Sequence, residues 1–152
     1  MAFRYSTGLF NAIQAAIKTQ MDGGSIELYT GSQPASPDAA VTGTLIARVT
    51  LNGGAWSQGT LTNGLVFDTP SGANMDIPAG AVWQFTAIAD GTIGWGRFRA
   101  NPVDSGSSST TLKRMDFSVG TTTGDMKMSK VTYQTGETGL IQDFLIPLSN
   151  VA

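Results

Sequence analysis

The chain has 152 residues, nine basic and eleven acidic side chains for a net charge of −2, and neither Cys nor His. Those two absences exclude thiol nucleophiles, Ser-His-Asp triads, disulfides, iron–sulfur clusters and Cys/His zinc sites, and the charge balance lacks the positive footprint of sequence-independent nucleic-acid binding. The length is that of one domain; a 13% share of charged residues against a usual ~25%, with 19 Gly, 19 Thr and 13 Ser, describes short strands joined by tight turns and covered by hydroxyls rather than by Lys and Glu.

The first element is a helix. From Ser6 to Gln20 the apolar residues Leu9, Phe10, Ile13, Ala16 and Ile17 recur at spacings of three and four, with Ser6 or Thr7 as cap and Asp22-Gly23-Gly24 as stop. The period then changes to two. Ser25–Thr30 sets Ile26 and Leu28 on one face and Glu27 and Tyr29 on the other. A polar loop, 31–43, precedes a strand over Thr44–Leu51, and an Asn63-Gly64 turn opens another over Gly64–Thr69. Ala81–Ala89 carries Trp83, Phe85 and Ala87 on one face. Strict alternation over Thr92–Ala100 groups Ile93, Trp95, Arg97 and Arg99 opposite Gly94, Gly96, Phe98 and Ala100. Lys113–Val119, one or two short strands within Asp125–Tyr133, and Leu140–Leu148 complete the series. Between them, Asn101–Thr111 reads as a mobile loop or as an arm that orders on a partner.

The predicted fold is all-β, a jelly-roll-like β-sandwich of about eight strands with one N-terminal amphipathic helix, an up-and-down barrel and an immunoglobulin-like sandwich being the alternative topologies. It divides into an arm and helix over residues 1–24 and a β-sandwich domain over 25–152. The predicted core is Ile26, Leu28, Leu45 or Ile46, Val66 or Phe67, Trp83, Phe85, Phe117, Phe144 and Ile146. No stretch approaches the ~18 apolar residues of a membrane span, and Met1–Tyr5 lacks the apolar run of a signal peptide. The chain is therefore expected to be soluble, made in the cytoplasm, and free of contacts with membrane or nucleic acid.

Catalytic chemistry finds little to work with. Most of the nine Asp stand beside turn residues, as at Asp22-Gly23 and Asp90-Gly91, where backbone geometry explains them. No spacing singles out a carboxylate pair, no EF-hand loop occurs, and no phosphate-binding glycine motif opens a helix. The expectation is no enzyme, no cofactor and no metal. Candidate interface residues are Phe3, Tyr5, Leu9, Phe10, Ile13 and Ile17 at the N-terminus, with Arg97 and Arg99 as an ion-pairing couple on one strand face.

Met1–Leu9 (MAFRYSTGL) and Ile26–Ile46 (IELYTGSQPASPDAAVTGTLI), with Asn63-Gly64-Leu65 and Ala89-Asp90-Gly91-Thr92 before Gly94-Trp95, resemble small structural proteins of tailed bacteriophages. The resemblance is to capsid cement or decoration proteins. It implies a non-enzymatic virion component, β-rich, made in the host bacterial cytoplasm and bound to the shell between subunits of the major capsid protein. It brings no catalytic residues; Pro34, Asp38, Gly43 and Thr44 are loop formers within it. The low charge and the terminal helix suit a homo-oligomer, a dimer or trimer, with the major capsid protein or other virion proteins as partners. A tail, collar or head–tail joining component and a carbohydrate-binding β-sandwich module are the alternatives.

Overall fold

The computed structural model describes residues 4–147. Helix α1 spans Thr7–Met21 and begins where the sequence places it: the Ser6 hydroxyl accepts a hydrogen bond from the Leu9 amide at 3.2 Å. Tyr5, just before the cap, packs edge-on against Phe10 with ring centroids 5.7 Å apart, a hydrophobic staple that fixes how the chain enters the helix. The inward face is Phe10, Gln14 and Met21, with Ile17 half-buried between them. Gln14 is the polar anchor, its amide donating to the carbonyls of Ala73 at 3.0 Å and Ile146 at 2.7 Å. Lys18 reaches the Phe67 carbonyl, and Asp22 accepts the Phe67 amide, so the last turn is fastened to the segment after Asn63-Gly64.

Among the described residues ten short strands follow: β1 Ser25–Thr30, β2 Leu45–Leu51, β3 Asn74–Met75, β4 Trp83–Thr86, β5 Gly91–Arg99, β6 Arg114–Gly120, β7 Met126–Lys127, β8 Thr132–Tyr133, β9 Thr138–Ile141 and β10 Ile146–Pro147. The protein is thus all-β with one N-terminal helix. Eight strands form one curled mixed sheet in the order β7-β6-β5-β1-β2-β4-β9, with β8 on β5; β10 and β3 pair separately. The β6–β7 pair is parallel and the others antiparallel. This single path is not two facing four-stranded Greek-key sheets, so the finer expectation of a jelly roll is not confirmed.

The core lies on one side of the sheet, where Ile26, Leu28, Ile46, Phe67, Trp83, Phe85, Phe117 and Phe144 are buried as predicted, with Ile146 packed against them. The open choices resolve to Ile46 over Leu45 and Phe67 over Val66. An aromatic cluster of Phe67, Trp83, Phe98 and Phe144, with centroids 5.2–6.2 Å apart, fills its centre.

Three expectations are corrected. Gly64–Thr69 forms only a single bridge, Gly24 to Leu65, because its backbone is spent on the helix end rather than on a strand partner. The C-terminal strand breaks into β9 and β10, which join different sheets; Leu148 lies outside the described residues. Strict alternation also fails in β5. Tyr29 pairs with Trp95 but Thr30 pairs with Ile93, leaving Gly94 as an extra, bulged residue that turns Ile93 into the core and Trp95 to the other face. Glycine is required there, since a Cβ at Gly94 would run into the Gly31 carbonyl oxygen.

Candidate functional site

Two surfaces hold the residues singled out in the sequence: the face of β1, β5 and β6 turned away from the core, and the outward side of α1. The sheet face gathers ions. Arg97, wholly buried, makes a two-pronged pair with Asp116 opposite it on β6, with Nε to Oδ1 at 2.6 Å and Nη2 to Oδ2 at 2.7 Å. Its third nitrogen donates to the Ala39 carbonyl, and the guanidinium stands 5.6 Å from the Trp95 ring, which stacks on Tyr29 at 4.7 Å. Arg99 contacts Glu27 at 2.6 Å, the Tyr29 hydroxyl and the Asp104 carbonyl. Arg114 grips both oxygens of Asp104 and donates to the carbonyls of Pro37 and Ser107.

The electrostatics follow from this packing. Burial works to raise the Asp104 carboxyl, but the hydrogen bonds from Arg114 and the Gly106 amide and the charges of Arg99 and Arg114 hold it below its ordinary value. Burial, then its hydrogen bond to Glu27, pushes the Tyr29 phenol well above its usual value, so it stays a donor. Arg97 and Arg99 do pair with carboxylates, but within the chain. They are not free for a partner, because loops 31–43 and 101–112 close over them.

The 101–112 loop is correspondingly fastened rather than loose. Gln58 exchanges two hydrogen bonds with the Asp104 backbone, the Val41 amide donates to Gly106, and the Ser109 amide donates to Asp38. A groove of about 610 Å³ beside this network is lined by Glu27, Tyr29, Arg48, Trp56, Gln58 and Arg99. Glu27 is held by Arg48, Arg99 and Tyr29, and Gln58 by Asp104. Trp56 is 8% exposed, its indole N–H donates to the Gly23 carbonyl, and the Arg48 guanidinium stands 5.6 Å from its ring. The groove presents no open aromatic platform for a sugar ring, since the two aromatic residues that line it, Tyr29 and Trp56, are both buried. Among the described residues no group of three or more Asp or Glu is placed to hold a metal ion, and no helix is long and apolar enough to cross a membrane.

The second surface is apolar. The sequence reads Leu9, Phe10, Ile13 and Ile17 as one stripe, and the structure divides it. Phe10 and Ile17 turn inward with Gln14 and Met21; Leu9 and Ile13 remain 46% and 39% exposed, next to exposed Ala12 and Ala16. Phe3 lies outside the described residues. Lys18, the only charged residue of α1, is turned towards Asp22 at 2.5 Å. A shallow groove of about 540 Å³ runs between this side of the helix and the start of β6, lined by Ile13, Ala16, Ile17, Leu112, Lys113 and Met115. The polarity of the helix is thus inverted at two positions, with Gln14 inside and Ile13 outside. Sequence reasoning missed Gln14 because a lone amide on a helix gives no signal until the carbonyls it satisfies are in place.

No family model matches the chain, and no curated protein or solved structure is significantly similar to it.

Proposed function

We propose that the chain is a non-enzymatic structural protein of a bacteriophage virion, a capsid cement or decoration protein that stabilises the shell by contact with the major capsid protein. The observation that carries this reading is the uncharged, apolar outward side of α1. A surface helix normally turns charged residues to water and apolar ones to the core, and contiguous exposed apolar surface marks a place of contact. Three supports stand beside it. The buried arginines and carboxylates are committed to one another and to backbone carbonyls, which suits a rigid scaffold. The low charge fits a protein packed among others. The resemblance of Met1–Leu9 and Ile26–Ile46 to tailed-phage structural proteins supplies the assembly.

The test is to locate the protein in purified particles by cryo-electron microscopy. Density for the curled sheet over the outer shell, with α1 against a capsid subunit, is the expected result, together with loss of shell stability in particles lacking the protein. Density in the tail or collar would move it to another part of the virion, and absence from particles would overturn the proposal.

A further inference from the structure

We infer that the outward side of α1 is a self-association surface on which a second copy of this chain packs its own α1 antiparallel, across a two-fold axis beside Ala12 and Ile13. The inference deepens the contact-protein reading and rests on the same helix, but it names the occupant.

The outward side of the helix is self-complementary. The outward positions Leu9, Ala12, Ile13 and Ala16 recur at the three- and four-residue spacing of one helix face, and all four are exposed. Reversing the helix about a point between 12 and 13 brings Leu9 of one copy against Ala16 of the other, and Ile13 against Ala12. Large meets small at every pair, which lets two helices interdigitate. A parallel pair would instead set Leu9 on Leu9 and Ala16 on Ala16, crowded at one end and gapped at the other.

Charge permits the same pairing. An isologous interface places each residue near its own kind, so any charge on this side would meet a like charge. There is none, because Lys18 is turned to Asp22 and the Phe67 carbonyl. At the ends the reversal is favourable. Exposed Arg4, before the helix, comes to the C-terminal end of the other α1, the negative end of that helix's dipole. The half-exposed Tyr5 ring comes to the Gln20 end, beside Lys113, where an aromatic face suits a cation.

The length of the helix bounds the area such a pair can bury. A helix of 15 residues is about 22 Å long. A strip of that length belongs with interfaces below about 1,200 Å², those of reversible rather than permanent pairs. The pair is therefore a concentration-dependent dimer, able to open when α1 is needed elsewhere on a particle.

Sedimentation equilibrium on the full chain from about 1 μM to about 1 mM tests this, the expectation being a mass rising from 15.9 kDa towards twice that value. Ile13→Lys should hold the mass at the monomer, whereas Ile88→Lys, at an exposed apolar residue outside this side of the helix, should leave the rise intact. Because the chain has no Cys, Leu9→Cys and Ala16→Cys report orientation cleanly. Mixed and mildly oxidised, they should give the Leu9–Ala16 cross-linked heterodimer in preference to either self-linked species. A constant monomer mass, a dimer unaffected by Ile13→Lys, or preferential self-linking would each overturn the inference. A protein that stays monomeric yet is found on particles overturns the pairing and leaves the virion reading standing; a dimer absent from particles does the reverse.

Discussion

Arg97 and Asp116 face each other across β5 and β6 as a two-pronged ion pair with 0% and 2% of their side chains exposed. Breaking such a pair from one side strands the other charge, a loss of about 3–5 kcal/mol, whereas replacing both by apolar residues of similar size is often close to neutral. Asp116→Ala should therefore destabilise by about 3–5 kcal/mol, and Arg97→Met with Asp116→Leu should cost less than Asp116→Ala alone. Urea unfolding followed by tryptophan fluorescence measures both. A single-variant loss under about 1 kcal/mol would mean that water reaches the pair.

Acid should unfasten the loops over that face. Asp104 is held below the ordinary carboxyl value of 3.8, with Arg114 the leading partner against the cost of burial. A carboxyl lowered by folding contributes stability above its unfolded value and loses it as pH falls through its folded one. The contribution of Asp104 is thus complete at neutral pH and fades below about pH 3.8. Asp104→Asn should lower stability at pH 7 and flatten its fall between about pH 4 and 2. Urea midpoints across that range check this, and parallel curves for both proteins would exclude Asp104 as a contributor.

What the sequence made legible was local. Ser25–Thr30 is a strand over the predicted residues, and α1 ends within a residue of its predicted bounds, because alternation and capping are properties of neighbouring residues. The bulge at Gly94 was illegible, since what demands a glycine there is the Gly31 carbonyl of another strand's end. The burial of Arg97 and Arg99 was illegible for a similar reason. Charges on a strand read as a solvent face, and only the distant residues Ala39, Asp104 and Asp116 make that face an interior. The apolar stripe of α1 was legible as a stripe, but not its division into Phe10 within and Ile13 without, which the shape of the sheet decides.

Gln14 holds the helix to the domain by donating to two carbonyls, those of Ala73 and of Ile146 in β10. Gln14→Leu keeps the size and adds apolar contact, but leaves both acceptors without this donor. A buried acceptor deprived of its partner costs about 1–3 kcal/mol, so the variant should lose stability by about that amount. Gln14→Ala should lose more, since it adds a cavity. Amide exchange should show the loss concentrated in α1 and in the β3–β10 pair; an even loss across β1, β5 and β6 would contradict an anchoring role.

Phe85 and Val66 give opposite expectations from the same alternation rule. Phe85 is 1% exposed on the core side of β4, opposite Gly139 of β9, with its ring edge-on to Tyr133 at 5.0 Å. Gly139 has no side chain because the Phe85 ring occupies the space a Cβ would need. Removing the ring leaves a hole that Gly139 cannot fill, so the site relaxes poorly and Phe85→Ala should cost about 3–5 kcal/mol. Val66 lies between Leu65 and Phe67, both buried, yet is itself 38% exposed because the chain alternates there without a strand partner. Val66→Ala should stay within about 0.5 kcal/mol of the parent. Urea unfolding of the two variants side by side decides it. Comparable losses would mean that the 64–69 segment packs its other side against something, whereas a small loss at Phe85 would place the β4–β9 pair outside the cooperative core.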